Sequence, residues 1–434
     1  MSVPVLPVFF ERMPVGEILP GAPAPSFRYH EDWRRSPDAF PISLSMPLSE
    51  AEWSAERIAP WLINLLPEGE PLRAMSRALG VAPEDMIALI AATGRDLAGA
   101  LSFNTPSDAP DYVAVGDDGA LERILNELPA RPFLVGEEGV SMSLAGAQDK
   151  LPVRYCDGAL SIPVDGAAST HILKPDNPRL PGSVQNEALC MALARRCGLP
   201  AAEVTTGVAG ARSYLLVTRY DRVVGNGAPR RLHQEDFCQA LGRAPAEKYQ
   251  HNRTGRQGPS LADMFALIRE HMTARDTNRF LDAVIFNIAV GNVDSHAKNY
   301  SILLHPGRAE LAPMYDLMSG LAWNGITQNH AQDVGGQRRG RHILGRHWRR
   351  MAEAAGLSAA ATVRRVAAIT ERIVAELPAA REEVAAMPAR EGMLLDEFVR
   401  HIDERAHMVQ RNLQREEEDA PAGEGPDTGR RYDR

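Results

Sequence analysis

The chain has 434 residues, of which 44% are hydrophobic, ample for about two or three packed cores. A net charge of −8 excludes a global electrostatic pull toward DNA or an anionic membrane, though not a local one. No run approaches the roughly 18 apolar residues that span a bilayer. The opening MSVPVLPVFFERM lacks a basic n-region and a small-residue cleavage site, so a secretory signal is not expected. Cys156, Cys190, Cys197 and Cys238 show no C-x-x-C spacing, as expected of reduced structural thiols in a cytoplasmic protein.

Short apolar stretches at Val3–Phe10 and Ile42–Met46 predict strands, and Glu52–Leu66 and Glu84–Thr93 predict helices, the second ending at Gly94. Asn104–Asp111 is polar and turn-rich, the composition of a linker. After a short helix at Leu121–Leu128, the runs Leu151–Tyr155, His171–Leu173 and Tyr214–Arg219 read as strands of a mixed sheet. Asn186–Cys197 reads as a helix capped by Gly198. Farther on, helices are expected at Leu261–Met272, at Asn278–Val290 (apolar on nearly all sides, hence buried), at Ala359–Glu376 and at Met393–Arg415. A hairpin at Tyr300–Leu304 and Glu310–Pro313 interrupts them. Residues 416–434 are acidic and lack aliphatic anchors, which predicts disorder.

The chemistry concentrates in Gly291-Asn-Val-Asp-Ser-His-Ala-Lys-Asn-Tyr300, a tight loop between a buried helix and a strand. Asp294 and Asn299 stand as D-x-x-x-x-N, the spacing in which kinases place a carboxylate that orients the attacking hydroxyl and an amide that binds metal. Phosphoryl transfer asks for positioning and charge screening, and Mg²⁺, a hard cation, asks for oxygen ligands. A second carboxylate is therefore expected just downstream, and Asp316 in Ala312-Pro-Met-Tyr-Asp-Leu317 meets that need. Two other readings of the segment stand beside this one: Asp294 and His296 as a hydrolase metal pair, or a buried structural network.

Upstream, Ser141-Met-Ser-Leu-Ala-Gly-Ala-Gln-Asp-Lys150 is a small-residue loop that can bring backbone N–H groups to phosphate oxygens. It is neither a P-loop nor a G-x-G-x-x-G loop. The strand Thr170-His-Ile-Leu-Lys-Pro175 ends in Lys174, suited to neutralising α- and β-phosphates. Glu187 is either its ion-pair partner or a solvated helix carboxylate.

Ser143-Leu-Ala-Gly-Ala-Gln-Asp-Lys150, Asn292-x-Asp-x-His-x-Lys-Asn299 and Tyr315-Asp-Leu317 together resemble the HipA kinases, toxins of bacterial toxin–antitoxin modules. Ile42-Ser-Leu-Ser-Met-Pro47, Asn64-Leu-Leu-Pro-Glu-Gly69, Gly94-Arg-Asp-Leu-Ala-Gly-Ala100, Arg219-Tyr-Asp-Arg222 and His233-Gln-Glu-Asp-Phe-Cys-Gln-Ala-Leu-Gly242 extend the similarity over roughly residues 10 to 375. The resemblance implies an α+β, two-lobed protein-kinase-like fold with an N-terminal α/β subdomain (1–105), a sheet-bearing ATP-binding part (106–236) and a mainly helical catalytic lobe (237–415). It implies Asp294 as the catalytic residue, Asn299 and Asp316 as Mg²⁺ ligands, and Lys174 and His296 at the nucleotide. Ala145, Gly146, Ala147 and Lys150 are then the phosphate loop, and Gln234, Glu235, Asp236 and Phe237 the hinge that receives adenine. Ser143 is implied as an autophosphorylation site, where added negative charge would expel the loop from the place of the ATP phosphates.

The implied partners are a HipB-type DNA-binding antitoxin and a serine-bearing cytosolic substrate of the aminoacyl-tRNA synthetase type, with DNA reached through the antitoxin. The six arginines of Arg338–Arg350 suit operator phosphates, or more simply a solvated or antitoxin-facing loop. The stretch Ile326–Gly335 departs from the family pattern, which is more basic and apolar there. Two alternatives remain: a small-molecule phosphotransferase, although position 292 is Asn where those enzymes usually carry His, and a kinase-shaped co-repressor without turnover.

Overall fold

Two antiparallel sheets and a helical lobe build the chain in a computed structural model, which describes residues 5–21, 25–106, 111–225, 227–389, 392–415 and 431. The first sheet runs in the order Glu52–Trp53, Ser26–Tyr29, Met13–Leu19, Leu6–Phe10, Leu101–Phe103. Alternation buries Ile18, Phe27 and Tyr29 on one face, which the helices Ala55–Ile63 and Met86–Thr93 cover. The second sheet has the order Val204–Ala209, Arg212–Thr218, His171–Pro175, Leu151–Cys156, Ala159–Val164, Asp111–Ala114.

Every pairing in that second sheet is antiparallel, not mixed as the sequence suggested. The connections explain it. Asp157 and Gly158 both have positive φ (51° and 82°), closing the two-residue hairpin between Cys156 and Ala159. A parallel neighbour would need a crossover of about a dozen residues.

One apolar core runs from Leu6 to Leu216 and so joins the N-terminal sheet to the six-stranded sheet. A buried ion cluster reinforces that junction. Asp96 faces Arg222 at 2.9 Å, Arg231 at 3.0 Å and Arg219 at 3.7 Å, while Asp221 pairs with Arg219 at 2.7 Å. Against the cost of burial, these guanidiniums hold the Asp96 carboxyl far below the usual carboxylate range. Burial and the neighbouring Arg219 push Arg222 down to about 10.

The second core gathers the helices Ser183–Arg196, Leu261–His271, Ala274–Val290, Ala359–Ala385 and Gly392–Gln414. Ala274–Val290 starts at a Thr273–Asp276 capping box and stops at Gly291, whose φ is 73°. A Cβ there would lie 2.5 Å from Leu321, so only glycine lets the chain leave the helix toward the loop that follows.

Several elements depart from expectation for local reasons. Ile42–Met46 is no strand: it makes one isolated bridge, Ser43 to Met46, because Ser43 Oγ ties to Ser45 in a tight turn between two prolines. The helix expected at Glu52–Leu66 is preceded by the strand Glu52–Trp53 and ends at Ile63. Gly69–Leu79 is an unanticipated helix, its start masked by Gly69 and Pro71. Ala359–Ala385 runs past Pro378, which the sequence reads as a stop. Ile326–Gly335 contains the strand Asn329–Val334. The arginine-rich segment is not a loop but the strand Gln337–Arg339, a short 3₁₀ turn and the helix Gly345–Ala354, which buries Trp348 and leaves Arg349 and Arg350 exposed. Half of the linker stretch (107–110) and most of the tail expected to be disordered lie outside the described residues. Among those residues no helix is long and apolar enough to cross a membrane.

Candidate active site

Amide side chains fix the loop after Gly291. Asn287 donates to Tyr300 Oη at 2.9 Å and accepts from Asn292 Nδ2 at 3.0 Å, and Asn292 Oδ1 accepts the Asp294 N–H at 3.1 Å. Asn299 Nδ2 donates to the Asp294 carbonyl at 2.9 Å, so the two residues of the D-x-x-x-x-N spacing are held together. From the far side, His330 Nδ1–H donates to the Asn292 carbonyl at 3.1 Å. The departing stretch 326–335 thus packs directly on this loop. The Asp294 carboxylate accepts from Tyr249 Oη at 2.5 Å, which fixes one oxygen and orients the other.

The hairpin Ser301–His305 and Arg308–Leu311 returns the chain to Asp316, as the spacing predicted. Asp316 has φ 57°, a conformation that non-glycine residues hold only where the surroundings dictate it. Its carboxylate meets Lys174 Nζ at 2.6 Å, and the same ammonium meets Glu187 at 2.6 Å. Glu187 is 2% exposed, which settles its role as an ion-pair partner rather than a solvated carboxylate. Against burial, Lys174 and Lys150 pull the Asp316 carboxyl below its ordinary range. Burial instead leaves Glu187 above its own despite Lys174.

The Ser143–Lys150 loop is held from two sides. Ser143 N–H donates to the Asp96 carbonyl at 3.2 Å, and Glu68 N–H donates to the Gly146 carbonyl at 3.0 Å. Gly146 has φ 104°, and a Cβ there would come within 2.9 Å of Lys150 Nζ. Lys150 Nζ reaches back to the Ala145 carbonyl at 2.6 Å, while Ala145 and Ala147 line the loop half-buried. Ser143 itself is fully buried, its Oγ 3.4 Å from the Leu65 carbonyl.

The remaining predicted residues divide. His296 is buried beside the loop, its ring edge-on to Tyr249 at 5.0 Å. Burial, with Lys248, Lys298 and Arg431 nearby, holds its imidazole well below 6.5 and hence neutral at pH 7. Its Nδ1 has no partner among the described residues. Of the hinge group, Gln234 alone is half-exposed. Glu235 accepts the Leu44 N–H at 2.7 Å, and burial pushes it up to about 8. Asp236 caps the next helix, and burial pushes it up to about 6. The Phe237 ring lies in the helical core, stacked on Phe280 with centroids 5.6 Å apart.

The sequence reading overlooked five residues. Tyr249 carried no motif. Glu68 meets Lys248 at 2.9 Å and Lys298 at 3.4 Å, and Lys298 donates to Asn64 Oδ1 at 2.7 Å. Asn64 and Glu68 belong to a recognised string, as does Lys298, so their presence was visible and only their meeting was not.

Among the described residues no three His, Cys, Asp or Glu side chains converge as a metal cage. The donor set instead suits a cation carried by a phosphate ligand: one or two protein oxygens from Asn299 and Asp316, with the rest supplied by phosphate and water. Lys174 and Lys150 both lie close enough to Asp316 to lower its carboxyl against the effect of burial.

Comparison with known proteins agrees with this layout. The profile of the HipA N-terminal domain matches residues 6–104, and that of the HipA-like C-terminal domain matches residues 142–380. A putative kinase of Sinorhizobium fredii, Y4mE, is 39% identical over 84% of this chain and 89% of its own. The serine/threonine-protein kinase toxin HipA of Shewanella oneidensis is 33% identical over 70% of this chain and 72% of its own. The Shewanella oneidensis HipA structure, solved with HipB and operator DNA, superposes with a TM-score of 0.81 at 27% identity, covering 93% of this chain and 97% of that one. With both domains matched and the two-lobed fold shared, this chain belongs to the HipA family of kinases.

Proposed function

We propose that the chain is a serine/threonine protein kinase that transfers the γ-phosphate of ATP. The carrying observation is the Lys174 bridge to Glu187 and Asp316 beside the Asp294–Asn299 loop. Lys174 and Lys150 neutralise phosphate oxygens, and the loop Ala145–Ala147 offers backbone N–H groups. Asn299 and Asp316 hold Mg²⁺, which when bound screens the phosphate charge. Asp294, oriented by Tyr249, aligns the acceptor hydroxyl and accepts its proton as the new oxygen–phosphorus bond forms and the bond to the departing ADP breaks. The hinge Gln234–Phe237 and the neutral His296 flank the nucleotide. The autophosphorylation site is Ser143, and its burial means that the loop must open before the hydroxyl can react.

A HipB-type antitoxin is the proposed partner, supported by the assembly of the Shewanella relative, with DNA reached through it. The proposed substrate is a serine of a cytosolic protein of the aminoacyl-tRNA synthetase type. This last step rests on family resemblance.

Incubation with Mg²⁺ and labelled ATP should label Ser143, mapped by mass spectrometry, and Asp294→Ala should lower the rate about 10²- to 10⁴-fold. Undiminished label in Asp294→Ala would remove Asp294 from its role; label on a small-molecule acceptor alone would favour a phosphotransferase.

Lys150 gives a pH test. Burial and then Lys174 push its ammonium down to about 8 from an ordinary 10.5. Below pH 8 it already carries the charge that grips phosphate; above pH 8, ATP binding must first take up a proton. ATP affinity measured by calorimetry should therefore weaken about tenfold between pH 7 and pH 9. In Lys150→Met that drop should vanish.

A further inference from the structure

Arg431, near the C-terminus, lies against the catalytic loop. Its guanidinium sits over the Tyr249 ring, 4.3 Å from the centroid. One terminal nitrogen donates to the Val293 carbonyl, and the other lies 3.4 Å from the His330 carbonyl. A flat cation with two forked donors matches an aromatic face flanked by two acceptors; an ammonium would not fill all three contacts at once. Each wall of this subsite adjoins the reacting position. Val293 precedes Asp294 in the chain, the Tyr249 hydroxyl bonds the Asp294 carboxylate, and His330 braces Asn292. None of the three contacts depends on the arginine being part of this chain.

We infer that Tyr249, Val293 and His330 form an arginine subsite for the protein substrate, and that Arg431 occupies it in cis. The enzyme then prefers an acceptor serine with an arginine close by, and its own C-terminus competes with that substrate. This deepens the kinase reading and rests on it for the word substrate; the subsite itself is a binding claim.

The test uses full-length protein and a fluorescein-labelled peptide of residues 425–434, followed by anisotropy. Arg431→Ala protein should bind the peptide at least about fivefold more tightly than wild type, because the tethered arginine no longer competes. A peptide with alanine in place of Arg430, Arg431 and Arg434 should bind neither protein. Equal affinity of the two proteins, or undiminished binding of the alanine peptide, would overturn the subsite. Ser143 labelling is measured on the same preparations. Intact labelling with failed peptide binding sinks the subsite and spares the kinase. The expected peptide binding without any labelling sinks the kinase reading and leaves the subsite standing.

Discussion

Lys174→Met should lower Ser143 labelling about 10²- to 10³-fold and abolish thermal stabilisation by Mg²⁺ and ATP. The side chain serves twice: it offers charge to phosphate, and it ties Asp316 to the sheet at 2.6 Å. Without it, Asp316 keeps only the longer-range attraction of Lys150 and Lys248. The fold also suffers, since Glu187 would be left buried without its cation. Burial already raises the Glu187 carboxyl, and losing Lys174 would push it further toward the neutral form, which softens the cost. The stability loss should therefore fall near 3 kcal/mol, the low end for a broken buried pair. Lys174→Arg should rescue stability better than activity, since a planar fork cannot reproduce two 2.6 Å contacts from one nitrogen. Nucleotide-dependent stabilisation persisting in Lys174→Met would show that the phosphates bind elsewhere.

Asp96→Ala should be the most destabilising single change at the junction between the N-terminal sheet and the six-stranded sheet, about 3–5 kcal/mol. The variant leaves Arg219, Arg222 and Arg231 buried with Asp221 as the remaining carboxylate of the cluster. An earlier first transition in urea unfolding, while exposed-pair variants such as Arg400→Ala leave it unmoved, is the expected signature. An unshifted transition would mean that the apolar core holds the junction without the ions.

Much of the site was legible because its residues recur at short spacing. Asp294 and Asn299 share one loop, and a hairpin of readable length brings Tyr315, next to Asp316, back onto it, the Tyr315 hydroxyl donating to the Lys298 carbonyl. The buried helix before the loop showed itself by being apolar on nearly all sides, and its stop at Gly291 by the glycine. What escaped reading lies across long separations. Glu68 meets Lys248 and Lys298 from 180 and 230 positions away, and no local pattern encodes that meeting. Tyr249 looks like any loop tyrosine until folding lays its hydroxyl on Asp294. Sheet direction failed for a related reason: the strands were read singly, whereas their pairing is set by hairpins such as Asp157–Gly158. Ile42–Met46 misled because an apolar run carries a strand signal even when serine hydroxyls bend it into a turn.

The bond between Glu68 N–H and the Gly146 carbonyl ties the N-terminal domain to the small-residue loop. The same corner adds a strand-like bridge from Pro67 to Gly146 and the ion pairs of Glu68 with Lys248 and Lys298. A change at Glu68 or Gly146 therefore reaches both matched domains at once, since each residue belongs to a different one.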